Sequence, residues 1–196
     1  QNAMCIRTCE KIINDRQEKK VDNYILMNDI DLTDATAEGG AWDFYGNGWN
    51  PIGSGDLYGN GAFSGEFDGN NHKIIGMRID VTTLPPGAGA KIYLGLFANI
   101  TGSVHDLTFY NGAVSGSVSL VNSRIYAGAL AGTTSNGTIT NITNENTSIS
   151  ASLKNGGYTY SGGIVGYNSE SNMNLCTNKA KIYADTGYPA GSYTYA

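Results

Sequence analysis

The chain has 196 residues, which is enough for one domain or one continuous repeat array. Hydrophobic residues make up 40 % of it and charged residues only 15 %, while 27 glycines favour many turns between short strands. The formal net charge of −5 argues against a nucleic-acid partner, because phosphate-binding surfaces need clustered Lys and Arg. No run of about 20 apolar residues occurs, so the sequence predicts no membrane span.

The first predicted element is a short capping helix over residues 4–20, after Gln1-Asn2-Ala3, which we interpret as an expression scar. Apolar side chains in this segment recur at helical spacing on one face. They are Cys5, Cys9, Ile12 and Ile13. We expect the helix to cover the first coil of a repeat array, because the ends of such arrays need shielding.

Residues 21–91 are predicted to form the first coils, with loop excursions between strands. Residues 24–32 alternate as a strand, and the glycine-rich residues 33–48 are predicted to form a loop. Asp68-Gly69-Asn70-Asn71 is predicted to be a tight turn between two strands. Leu84-Pro85-Pro86-Gly87 is a second predicted excursion.

Residues 92–196 repeat with a period of about 34 residues, giving three copies and the start of a fourth. The repeat is marked by Tyr93, Tyr126, Tyr160 and Tyr195. A strand-only repeat of this length predicts one coil of an all-β solenoid, with equivalent side chains stacked about 4.8 Å apart. The tyrosines would then form a ladder, either inside the solenoid or beside the glycines that follow them.

The same alignment predicts two columns of buried side chains. The columns are Leu107, Ile142 and Cys176, and next to them Val104, Ile139 and Met173. Cys176 is therefore interpreted as a core residue rather than a reactive thiol. Three cysteines are an odd number and do not predict a disulfide framework.

Two patterns in residues 20–196 resemble a known family. One is the order of segments 24–32, 49–53 and 63–74, the last containing Asp-Gly-Asn-Asn-His; the other is the repeated Tyr-x-Gly-Gly-Ile-Val-Gly of residues 160–166. These resemble the GLUG-motif proteins, bacterial surface proteins that include the region upstream of the catalytic domain in IgA-specific metallopeptidases. The resemblance implies a right-handed parallel β-helix on a secreted or cell-surface protein. It implies no activity for this segment, and the His-Glu-x-x-His zinc motif of the family peptidases does not occur in the sequence.

Four acidic residues of the first coils are the best candidates for chemistry. They are Asp29, Asp31, Glu66 and Asp68, and each pair lies on one face of an extended stretch. Parallel β-helices can carry glycan-cleaving sites that use carboxylates or calcium, so these acids are candidates for a calcium site or a catalytic pair. Acids beside glycine usually make turn hydrogen bonds, and strand-face acids are usually solvated. We therefore predict no catalytic residue and no cofactor, with calcium as the alternative.

The two histidines and one aromatic cluster give weaker signals. His72 and His105 lie outside any nucleophile motif and are predicted to be structural, with His72 bonded to the backbone of its turn. The aromatic cluster lies in the loop of the first coils and contains Trp42, Phe44, Tyr45 and Trp49. It is either a platform for stacking sugars or, as such clusters more often are, a patch that packs the loop onto the body.

The sequence thus predicts a non-catalytic module of a bacterial surface or secreted protein, acting outside the cell as a stalk, spacer or adhesin. A host glycan or protein ligand is the expected partner. The rival hypotheses are a carbohydrate-active enzyme, a glycan-binding module, and a substrate-docking arm of an IgA-type metallopeptidase. Because the sequence stops where a further Gly-Gly-Ile-Val-Gly is expected, we also expect the native solenoid to continue beyond Ala196. An open last coil would then allow weak end-to-end association.

Overall fold

A computed structural model describes residues 4–6, 22–54, 61–84, 89–187 and 193–195, and almost all regular structure in these ranges is β-strand. Besides the strands there are one short helix, α1 (Thr33–Thr36), and a 3₁₀ turn (Phe44–Gly46). The strands are β1 (Met4–Ile6), β2 (Tyr24–Leu26), β3 (Ile30–Asp31), β4 (Ala62–Phe63), β5 (Glu66–Ile75), β6 (Arg78–Val81), β7 (Lys91–Leu94), β8 (Phe97–Ile100), β9 (Ser103–Tyr110), β10 (Ala113–Val118), β11 (Ser123–Ala127), β12 (Ala131–Ser135), β13 (Thr138–Asn144), β14 (Ser148–Leu153), β15 (Gly157–Ser161), β16 (Val165–Ser169), β17 (Asn172–Asn174), β18 (Thr177–Asn178), β19 (Ile182–Asp185) and β20 (Tyr193–Tyr195).

The strands form four sheets, and successive coils of the chain add parallel strands to each of them. Sheet 1 has the order β1-β2-β5-β9-β13-β17, with β3 paired to β5 and β18 paired to β13; sheet 2 has β19-β14-β10-β6, sheet 3 has β20-β15-β11-β7 and sheet 4 has β16-β12-β8-β4. Strands one coil apart pair in parallel throughout the named strands. The predicted fold is therefore confirmed as a parallel β-solenoid, with about three turns.

We name the coils by their position along the chain: coil 1 (residues 66–100), coil 2 (103–135), coil 3 (138–169) and the last coil (from 172). The predicted tyrosine register is confirmed, because Tyr126 pairs with Tyr93 on one side and with Tyr160 on the other. Tyr195 continues this backbone register beside Tyr160. The period is a property of stacked coils rather than of propeller blades.

The core fills the inside of the solenoid, and the two predicted columns lie in it. Val104 pairs with Ile139 and Leu107 pairs with Ile142, and all four side chains are buried. The prediction is wrong for Met173, which continues the first column by register but is 36 % exposed. Cys176 packs against the core but is only half-buried. Both lie in the last coil, where sheet 1 has a neighbouring strand on one side only among the described residues.

A bend in each sheet 1 strand explains why buried residues three apart face the same way. The residues at the bend are Asp106, Asn141 and Leu175 in three successive coils, with φ of 56°, 54° and 54°. In coil 1 the bend is made by Asn70 and Asn71, with φ of 49° and 61°. Asn tolerates this left-handed conformation better than most residues.

The predicted tight turn at residues 68–71 is therefore wrong. The chain continues through it as the single strand β5, and the pairing with β9 shifts register between Asp68 and His72. Two consecutive left-handed residues bulge a strand, which re-aims its side chains without reversing the chain.

The predicted N-terminal helix is wrong at its start. Residues 4–6 form β1, which pairs in parallel with β2 and extends the edge of sheet 1. An extended segment here satisfies backbone groups at the edge of β2. The rest of the predicted helix, residues 7–20, lies outside the described residues, as do residues 85–87 of the second excursion.

Candidate functional site

The four predicted acids do not converge on one site. The Asp29 carboxylate accepts a hydrogen bond from the Lys73 backbone N–H (2.9 Å) and pairs with Nδ1 of His72 (3.1 Å). Asp31 accepts the backbone N–H of Thr33 (2.9 Å), as acids at turns commonly do. The predicted backbone bond of His72 is thus replaced by a pairing with the Asp29 side chain. Asp29 and Asp31 are separate from the other two acids.

Glu66 and Asp68 instead meet a residue that the sequence analysis had treated as structural, His105. Its Nδ1 atom lies 2.8 Å from Oδ2 of Asp106 and 3.6 Å from Oδ1 of Asp68, while its Nε2 atom lies 3.3 Å from Oε1 of Glu66. The pairing of β5 with β9 places Asp68 opposite His105 and creates this group. We call Glu66, Asp68, His105 and Asp106 the histidine cluster.

The carboxylates around His105 favour its charged form. Burial alone would lower the pKa of His105, but hydrogen bonds to Asp106 and Glu66 and the charges of Asp68 and Asp106 outweigh it, so the pKa is raised. A hydrogen bond from the Asn141 amide and the bond to His105 lower the pKa of Asp106. The histidine cluster is thus an ion-pair network that joins coil 1 to coil 2.

The histidine cluster also contains a set of metal-ligating atoms. One donor atom each from Asp68, His105 and Asp106 lies within 4.8 Å of the other two, and no other group of three meets this condition in the part of the chain that the structure describes. A mixed nitrogen and carboxylate set suits a transition-metal ion, whereas calcium prefers oxygen ligands alone. The calcium site expected from Asp29, Asp31, Glu66 and Asp68 is therefore not assembled as a foursome.

The four loop aromatics are also divided. Trp49 is fully buried and its Nε1 donates to the carbonyl of Leu96 (3.1 Å), so it is unavailable for stacking a ligand. Its burial follows from Gly48, which forms an antiparallel bridge with Ile79 and fixes the loop against the body. Phe44 packs partly against the core, and Tyr45 is 66 % exposed and lies edge-on to it. Trp42, Phe44 and Tyr45 line an open pocket of about 360 Å³.

The tyrosine ladder forms a second aromatic feature, outside the solenoid core. The rings of Tyr93 and Tyr126 stack at 5.0 Å with planes 9° apart, and those of Tyr126 and Tyr160 stack at 4.8 Å and 12°. The flanking residues Ile92 and Leu94 belong to the core, so the alternation of β7 turns Tyr93 outward.

Glycine at the corner between sheets 3 and 4 allows this arrangement. A Cβ at Gly132 would lie 2.9 Å from the Cβ of Tyr93, closer than side-chain atoms approach. The expected role of these glycines, close approach beside the tyrosines, is therefore seen at Gly132.

Sheet 4 supplies the other wall of an open groove of about 210 Å³. Tyr167 stands edge-on to Tyr126 (6.1 Å) and Tyr160 (5.4 Å). The groove is lined by Tyr93, Tyr126, Thr133, Ser135, Tyr167 and Ser169, and we call it the tyrosine groove. Each of these described lining residues carries a hydroxyl and none carries a formal charge. Burial raises the pKa of Tyr93, which keeps its hydroxyl neutral near pH 7.

Sequence reasoning found the ladder but not the groove. The tyrosine period predicted the stack, whereas the opposing residues come from sheet 4, whose meeting angle with sheet 3 is invisible in the sequence. A pointer existed in the alternating polar side chains of residues 133–135 and 167–169, which recur one coil apart.

Comparisons with protein-family models, with curated proteins and with solved structures gave no match. The likeness to GLUG-motif proteins therefore rests on the residues quoted above. Within the described residues, none of the helical segments has the length and apolar character needed to cross a membrane.

Proposed function

We propose that this chain is a non-catalytic extracellular β-helical module of a bacterial surface or secreted protein, and that it acts as an adhesin. The observation that carries the proposal is the in-register stack of coils, which repeats polar side chains along its outer faces. On sheet 1, Ser103, Thr138 and Asn172 are stacked neighbours. On sheet 2, Ser115 is stacked on Ser150.

Such a stack supports adhesion because it combines rigidity with repetition. Each backbone strand is hydrogen-bonded to the coil before and after it, and each coil adds about 4.8 Å of length. A ligand with repeating units can then contact several coils at once, so weak individual contacts add up to useful affinity. The resemblance to bacterial surface proteins supports the extracellular location.

A direct test is the retention of beads coated with the purified chain on cultured epithelial monolayers under flow. Beads coated with albumin serve as the control. We expect the chain-coated beads to be retained more strongly than the albumin beads. Equal release of both kinds of bead would contradict the adhesin proposal.

A carbohydrate-active enzyme is the second candidate, because Glu66 and Asp68 share a histidine partner on an outer face. The test is incubation with soluble polysaccharides and measurement of new reducing ends and unsaturated products. Under our proposal neither appears. If products appear, and are lost in a Glu66→Gln/Asp68→Asn variant but not in Asp31→Asn, the chain is an enzyme and the proposal fails.

A further inference from the structure

We infer that the tyrosine groove binds a neutral polysaccharide strand that lies parallel to the solenoid axis. This inference rests on the proposed function as an adhesin and names the class of its ligand. The groove, rather than the loop pocket beside Tyr45, carries the argument because three coils contribute to it.

The direction of the ligand follows from which coils line the groove. Tyr93 belongs to coil 1, Tyr126 to coil 2 and Tyr167 to coil 3, so the groove crosses successive coils along the axis. Polar positions recur at each coil, with Thr133 stacked on Tyr167 and Ser135 on Ser169. A chain molecule with a regular hydroxyl repeat suits a surface of this periodicity.

The class of ligand follows from the chemistry of the lining. The faces of the ladder rings are covered by one another, which leaves their edges and hydroxyls for a ligand. Tyr167 is 46 % exposed and offers an apolar surface beside that row of hydroxyls. A sugar presents both matching features, an apolar face of C–H groups and a rim of hydroxyls that donate and accept hydrogen bonds.

Other ligand classes match this groove less well. An extended peptide would need an open strand edge, but the backbones of β11 and β12 are already paired on both sides by neighbouring coils. An anionic polymer would need cations in the groove. The nearest described cation, Arg124, lies 5.0 Å over the ring of Tyr158 instead.

The test uses affinity electrophoresis of the whole chain through gels containing dextran, laminarin, xylan or glucomannan, with polygalacturonate as the charged comparison. The variant is Tyr167→Ala. The matched control is Tyr183→Ala, which removes a ring that is 57 % exposed on sheet 2, away from the groove. Circular dichroism and urea unfolding establish that both variants fold.

We expect at least one neutral polysaccharide to retard the wild type and Tyr183→Ala equally, and the apparent dissociation constant of Tyr167→Ala to rise at least tenfold. Ser169→Ala, which removes one lining hydroxyl, should weaken binding severalfold. Retardation by polygalacturonate alone, by none of the neutral polymers, or equally for both tyrosine variants overturns the inference. The bead assay separates the two claims, because retention that survives Tyr167→Ala keeps the adhesin and removes the groove.

Discussion

Coils 2 and 3 and the last coil carry matching side chains in very different surroundings. In the first column of sheet 1, Val104 and Ile139 are fully buried, whereas Met173 in the same register is 36 % exposed. In the second column, Leu107 and Ile142 are buried and Cys176 is half-buried. Burial at a given repeat position is thus set by the neighbouring coils and not by the residue type.

The inner face of sheet 3 changes in the same direction. The stacked position that is Ile92 in coil 1 and Ile125 in coil 2 is Thr159 in coil 3. The hydroxyls of Thr159 and Ser161 are buried and have no hydrogen-bond partner among the described residues. The core therefore becomes more polar toward the last coil, and the same kind of substitution should have different costs along one column.

The largest expected difference lies within the first column. Ile139→Asp should lower the free energy of unfolding by roughly 3–5 kcal/mol or prevent folding, because it places an unpaired charge between two coils. Met173→Asp, one coil further on, should cost about 1 kcal/mol or less, since that side chain reaches solvent. Urea unfolding followed by circular dichroism measures both; equal costs would show that the last coil is as well covered as coil 3.

The second column gives a smaller difference of the same kind. Ile142→Ala should cost about 2–5 kcal/mol by leaving a cavity in a fully buried position. Cys176→Ala should cost about 1 kcal/mol or less, because that position is only half-covered. The comparison of the two urea midpoints is decisive, and a larger loss for the cysteine variant would refute the ordering.

The thiol of Cys176 offers an independent reading of the same coverage. Burial raises the pKa of Cys176, which lowers its thiolate fraction near neutral pH. In a Cys5→Ser/Cys9→Ser background, Cys176 should therefore react with a disulfide reagent more slowly in the folded chain than in urea. Equal rates in the two conditions would remove it from the core.

Thr159→Val should stabilise the protein by about 1 kcal/mol. The change keeps the shape of the side chain and removes a buried hydroxyl that has no described partner. Ile125→Thr is the converse change one coil earlier and should destabilise, since it puts a hydroxyl into a fully apolar position. If Thr159→Val destabilises instead, the hydroxyl has a partner in the folded protein.

The sequence predicted the parts of the fold that repeat. The tyrosine period of about 34 residues predicted stacked coils, and the register of Tyr93, Tyr126 and Tyr160 agrees with it. The apolar pairs three residues apart predicted inward columns, although their cause, a left-handed residue between them, was not recognised. Repetition is informative because each copy tests the interpretation of the others.

The histidine cluster could not be predicted in the same way. Phe67 pairs with Val104, yet five residues later His72 pairs with Leu107, because β5 bulges by two residues relative to β9. Without knowledge of that bulge, no alignment places Asp68 opposite His105. The fate of Trp49 was equally hidden, because it depends on where its loop folds back onto the body.

The smallest expected effect concerns the ion pairs between coils 1 and 2. Asp68 and His105 are followed in register by Thr140 and Asn174, so coils 2 and 3 are joined at this position without charge. His105→Thr copies the residue of the next coil. It tests whether the histidine, facing Glu66, Asp68 and Asp106, strengthens the first junction.

The sign of the pH dependence follows from the raised pKa of His105. A histidine whose pKa is higher in the folded state stabilises fully below its unfolded pKa of about 6.5, and this stabilisation is lost as the pH rises through the folded pKa. With EDTA present to remove metal ions, His105→Thr should therefore cost about 0.5–1 kcal/mol more at pH 6 than at pH 9, a size typical of partly exposed ion pairs. Thr140→Val, at the uncharged junction, should show the same cost at both pH values in urea unfolding. A pH-independent cost for His105→Thr would mean that the carboxylates around His105 hold it in place without stabilising its charge.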